Sequence, residues 1–128
     1  MPSISFPEYA RQIENALNGV VETGEGVLLN LQVDSRSALR GFIVGSLQFN
    51  DRSELHFREF IDLTQDNERL MYAYHYQDGS SNLIFRYDNA AHKPSLEQPK
   101  HKHTAAGIGM SHGPSLSEVL DEIRDILA

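Results

Sequence analysis

No cysteine occurs in the 128-residue chain. Disulfide frameworks, thiolate zinc sites and a cysteine nucleophile are thereby excluded, and the composition fits a reducing compartment. The opening stretch, MPSISFPEYARQ, has no basic segment leading into an apolar one, and no apolar run approaches the roughly 18 residues that cross a bilayer. The expectation is a cytoplasmic protein without a membrane partner. Positive charge is also scarce: the formal net charge is −7, and the three lysines, Lys93, Lys100 and Lys102, all fall within residues 92–103. An acidic body therefore carries one basic segment, where an anionic partner is expected to meet it.

What is present suffices for one domain covering residues 1–128. The 40% hydrophobic and 23% charged residues are ordinary for a globular chain, and a domain of this size buries about two-thirds of its unfolded surface. Ser5 and Glu8 have the spacing of a capping box, and Phe6, Tyr9, Ala10, Ile13, Leu17 and Val20 form an apolar helical stripe that Asn18-Gly19 is expected to end. Val27, Leu29, Leu31 and Val33 alternate with polar or outward positions, as in a half-buried strand. Further alternating runs, RGFIVGSLQF, ELHFREFIDL, RLMYAYHYQ and LIFRYD, are joined by short turns. Ser115 and Glu118 repeat the capping-box spacing ahead of a second apolar stripe, Leu116 to Leu127.

The expected fold is α+β. It has an N-terminal helix, an antiparallel meander of five to six strands, and a C-terminal helix on the same sheet face. Residues 89–113 carry Pro94 and Pro99 with Gly107, Gly109 and Gly113. They read as a long loop in which TAAGIGM can add a short edge strand.

Strand alternation gathers the candidate chemistry. If Tyr72, Tyr74 and Tyr76 share one face with Phe85 and Tyr87, then His75, Gln77, Arg86 and Asp88 share the other. A histidine, an arginine and a carboxylate on one surface can exchange a proton, hold a phosphate and orient an imidazole. Equally, polar residues on an open sheet face can be simply solvated. The tyrosines, Tyr74 among them, suit either a base-stacking platform or a core. Glu59 is conspicuous, because it shares the face of Leu55, Phe57 and Ile61. In the stretch RYDNAAHKPSLEQPKHKH, residues 86–103, His101 and His103 point the same way if extended. With His92 or Asp88 they could ligate a metal; with Lys100 and Lys102 they could dock an anion; otherwise they are a solvated loop.

The aromatic strand Tyr72 to Tyr76, the block Arg86 to Ala90, His92, and Pro99 followed by His101 and His103 resemble the TumE family, toxins of prokaryotic toxin–antitoxin pairs. The chain departs from that pattern in having Ala-Ala-His at residues 90–92, where Ala-Pro-His is expected. The resemblance implies a toxin neutralised by a cognate antitoxin, acting on RNA as a nuclease that needs no metal or other cofactor. On that reading His75 or His92 is the general base, His101 or His103 the general acid, Arg86 and Lys102 hold phosphate, and Asp88 positions a histidine. Lys100 and Tyr74 join them as ligand-binding residues. A non-catalytic binding domain for an acidic partner or small anion is the alternative, and a homodimer through the sheet edge or the tyrosine face is a third.

Overall fold

The computed structural model describes residues 4–65, 68–89, 101–104, 107–110 and 113–128. Helix α1 (Phe6–Glu22) leads into strands β1 (Gly26–Ser35), β2 (Arg40–Phe49), β3 (Glu54–Asp62), β4 (Arg69–Gln77), β5 (Leu83–Asp88), β6 (His101–Thr104) and β7 (Gly107–Met110), and α2 (Leu116–Leu127) closes the chain. The sheet order follows the chain order from β1 to β7, and each pairing is antiparallel. The α+β meander is as expected. Among the described residues it has seven strands because part of the anticipated loop folds as the short hairpin β6–β7.

Local signals account for both helices. At α1 the Ser5 hydroxyl accepts from the Glu8 amide and Pro7 occupies the first turn, where its missing N–H costs nothing. At α2 both halves of the Ser115/Glu118 capping box form. Asn18-Gly19 does not end α1. Val20, fully buried, holds the next turn against the sheet, and the chain leaves the helix at Gly24, whose φ of +74° suits glycine.

In β1 the alternation is interrupted. Leu28 pairs with Leu47 and Asn30 with Ser46, so Leu29 is an extra residue in a bulge. Leu28 and Leu31 therefore pack toward the core, while Val27, Leu29 and Val33 remain exposed on this edge strand.

Both helices cover one face. Their buried Phe6, Leu17, Val20, Val119, Leu120 and Ile123 meet Ile43, Leu47, Leu55, Phe57, Ile61, Phe85 and the tyrosines of the sheet, each full burial contributing about 1.5–3 kcal/mol. The tyrosines are core residues. Tyr74 donates to Glu59 at 2.6 Å, Tyr76 to Ser53 at 2.8 Å and Tyr87 to Glu122 at 2.6 Å, which satisfies their hydroxyls without exposing the rings. Glu59, 0% exposed, also accepts from the Tyr9 hydroxyl of α1. Arg69 stacks on Tyr72 and donates to Tyr74 and to the carbonyls of Gly113 and Pro114, linking β4 to the start of α2. Among the described residues, the opposite face of the sheet carries no helix.

Candidate functional site

On that open face, register converts sequence alternation into a lateral row. Asn30, Ser46, His56, His75, Arg86 and His103 lie opposite one another on successive strands from β1 to β6. The neighbouring row holds Val44, Arg58, Ala73, Asp88 and the backbone position of His101. Adjacent strands lie about 4.8 Å apart and same-face rows about 6.7 Å apart. Side chains of these two rows are consequently within reach of each other.

Four of them form a continuous chain. His75 Nε2 lies 3.1 Å from Gln77 Oε1, and Arg86 Nη1 lies 3.4 Å from His75 Nδ1. Arg86 Nε donates to Asp88 Oδ2 at 3.0 Å, and His103 Nε2 lies 3.0 Å from the same oxygen. Asp88 is 3% exposed. A carboxylate buried to that degree needs charged or hydrogen-bonding partners, and here the Arg86 guanidinium supplies the hydrogen bond, with the His103 imidazole at ion-pair distance.

The tautomer of His75 follows from its neighbours. A guanidinium has only donors, so Nδ1 bears the lone pair and Nε2 carries the hydrogen toward Gln77. Burial lowers the His75 pKa below its ordinary 6.5, and the charges of Arg86 and His56 push the same way against the Gln77 hydrogen bond, which raises it. Neutral His75 is thus a proton acceptor, beside an arginine and two strands away from a histidine that lies against a carboxylate.

The sequence-derived candidates divide accordingly. His75, Arg86, Asp88 and His103 come together. Lys102 does not join them: alternation along β6 turns it to the helix-covered face, where Nζ lies 2.9 Å from Glu122 and packs over Tyr87. Burial works against its charge, but the Tyr87 and Glu122 contacts outweigh it and raise the Lys102 pKa. Tyr74 is fully buried on that same face, held by Glu59 and Arg69, and burial first, then Glu59, raises its pKa well above 10.0. His101 is placed by its backbone, paired with Asp88 and with Met110. His92 and Lys100 lie outside the described residues.

Two residues of this face were given no role in the sequence. His56 pairs with His75 across the β3–β4 ladder, and Arg58 pairs with Ala73. Both were legible in ELHFREF, since they alternate with Leu55, Phe57 and Glu59. They help line an open groove of about 340 Å³ with Asn30, Ser46, His75 and Arg86. Among the described residues no group of three or more His, Asp or Glu side chains is arranged to hold a metal ion, and no helix is long and apolar enough to cross a membrane.

No curated protein and no solved structure matches this chain. A family model described as Toxin TumE matches residues 26–128, from the first residue of β1 through both candidate rows to the end of the chain. The chain therefore belongs to the TumE toxin family, the family its tyrosine strand and Arg-Tyr-Asp-Asn block resemble.

Proposed function

We propose that this toxin cleaves RNA by acid–base catalysis on the open face of its sheet, in the cytoplasm, and that a cognate antitoxin protein neutralises it. The observation that carries the reading is the chain His75–Arg86–Asp88–His103: two imidazoles flank one guanidinium, one ring neutral and the other held by a buried carboxylate. This set covers the needs of a phosphodiester transesterification. A phosphate oxygen draws Arg86 Nη1 away from its long contact with His75, and Nδ1 then takes the proton of the ribose 2′-hydroxyl. The 2′ oxygen attacks phosphorus, the bond to the 5′ oxygen breaks, and His103 returns a proton to that leaving oxygen. Asp88 keeps the His103 ring oriented and offsets its charge while the proton moves. Arg86 meets the negative charge that develops on the phosphoryl oxygens. The products are a 2′,3′-cyclic phosphate and a free 5′-hydroxyl, and water and a metal ion take no part in this step.

The test is direct. Purified protein in excess chelator is incubated with single-stranded RNA, beside His75→Ala and His103→Ala. Cleavage giving cyclic phosphate ends, lowered by about 10²-fold to 10⁴-fold in each variant, is the expected result. Intact RNA with the wild-type protein, in vitro and in cells whose growth it slows, would overturn the ribonuclease reading. The groove would then belong to a binding domain.

A further inference from the structure

The cationic character of the open face does not end at the reacting row. Arg58, one row away on β3, is exposed and opens on the same groove. Arg40, Arg86 and Arg124 each face a carboxylate, whereas Arg58 has no such partner among the described residues. Among the described residues no aspartate or glutamate lines this groove. Two carboxylates stand just behind the lining: Asp88, 3.0 Å from Arg86 Nε, and Glu54, 2.9 Å from His56 Nε2. On a chain of net charge −7, a groove in which Arg58 stands without a carboxylate among the described residues, beside Arg86 and two histidines, is matched in charge to an anion.

One row further along β2 and β3, the open face changes character again. Phe42 and Phe60 pair across the ladder with ring centroids 4.4 Å apart, edge to face. Both are only partly buried although no helix of the described residues covers them, and Met71 lies beside Phe60 on β4. Arg36 rests over the Phe42 ring at 5.4 Å. From the His56–His75 row to this pair is two same-face steps, roughly 13 Å, with Arg58 midway. A phosphate clamp between a reacting row and an aromatic platform is the order in which a single nucleic-acid strand presents its parts: scissile phosphate, next phosphate, base.

We infer that Arg58 and the Phe42–Phe60 pair form a subsite for the RNA nucleotide flanking the scissile phosphate, Arg58 holding its phosphate and the rings receiving its base. This rests on the ribonuclease reading for its substrate, but it concerns binding and is measured apart from cleavage. The probe is a single-stranded RNA oligonucleotide blocked by 2′-O-methyl groups, followed by fluorescence anisotropy with the full chain across a salt series. Arg58→Ala is expected to weaken binding and to reduce the slope of log affinity against log salt by about 0.7, one phosphate contact on a single strand. Arg58→Lys keeps the slope. Phe60→Leu is expected to weaken binding about fivefold or more with the slope unchanged, because stacking carries no counterion term. Arg58 is exposed, so its replacement leaves the core intact, and circular dichroism checks the fold of Phe60→Leu.

Wild-type binding that neither Arg58→Ala nor Phe60→Leu alters overturns the subsite, whether or not unblocked RNA is cut. Binding that both variants weaken, together with no cutting of unblocked RNA, supports the subsite and rejects the nuclease. Absence of wild-type binding overturns the subsite. Competition by polyglutamate as strong as by RNA, with Phe60→Leu without effect, also overturns it and assigns the groove to an acidic protein segment.

Discussion

Asp88 Oδ2 lies 3.0 Å from His103 Nε2, diagonally across the β5–β6 ladder in which Arg86 is the direct neighbour of His103. The carboxylate reaches past its own register position because Arg86 Nε, on the same strand two residues away, draws it to the same point. One oxygen thus anchors both the guanidinium proposed to hold phosphate and the imidazole proposed to transfer a proton.

Asp88→Asn keeps the shape of the side chain and removes its charge. Loss of a buried charged hydrogen-bond acceptor is expected to lower stability by about 1–3 kcal/mol. RNA cleavage should fall by about 10²-fold or more while secondary structure is retained. Urea unfolding and a cleavage assay read the two effects separately, and full activity in a folded variant would remove Asp88 from the mechanism.

In the proposed mechanism His75 sets the acid limb of the pH profile. Because burial, Arg86 and His56 hold its folded-state pKa below 6.5, the neutral base is already present at pH 6.5, and kcat/KM should lose its dependence on this group somewhat below that pH. The same shift makes stability fully present above the unfolded value of about 6.5, to be lost as pH falls through the folded-state value. In His75→Gln both the acid limb of the rate and this part of the stability loss should disappear, as pH-rate and pH-unfolding series will show.

Tyr9→Phe tests how α1 is held on the sheet. Glu59, fully buried, keeps the hydroxyls of Tyr9 and Tyr74 as donors, and burial first, then Glu59, raises the Tyr9 pKa well above 10.0. Removing one donor from a buried carboxylate is expected to cost roughly 1–3 kcal/mol. An unchanged denaturant midpoint would show that Tyr74 alone satisfies Glu59.

Gly41→Ala should be destabilising for a steric reason. A methyl group at Gly41 would fall within the ring of Phe6, itself fully buried at the start of α1. Overpacking of this kind costs about 1–3 kcal/mol. Gly19→Ala, where a methyl meets no neighbouring atom within 4 Å, should instead stabilise α1 slightly, since alanine is the better helix former. Thermal unfolding of the two variants should move in opposite directions.

The helices and the five long strands were legible because capping residues and apolar periodicity act locally: Ser5, Ser115 and the tyrosines of β4 declare themselves within a few residues. The joint face of His75, Arg86 and Asp88 was legible for the same reason, as alternation fixes a face before any register is known. The bulge at Leu29 was not, since it depends on how Leu28 and Asn30 meet β2. Nor was β6 as a strand: HKHT has no apolar alternation, and its place comes from the ladders on either side. Once it is extended, the alternation that sets His103 beside Asp88 also turns Lys102 toward Glu122, so one structural fact both assembles the row and removes a lysine from it.

The strictly sequential strand order has a consequence for synthesis. A sheet whose strands pair only with their chain neighbours can grow in the order in which it leaves the ribosome, each strand adding to an edge already made. His75, Arg86 and Asp88 are then in position while His103 has yet to be delivered by β6. The last imidazole of the row arrives only when most of the domain has formed, so a half-made chain holds the arginine and the carboxylate of the proposed reaction without its second proton carrier.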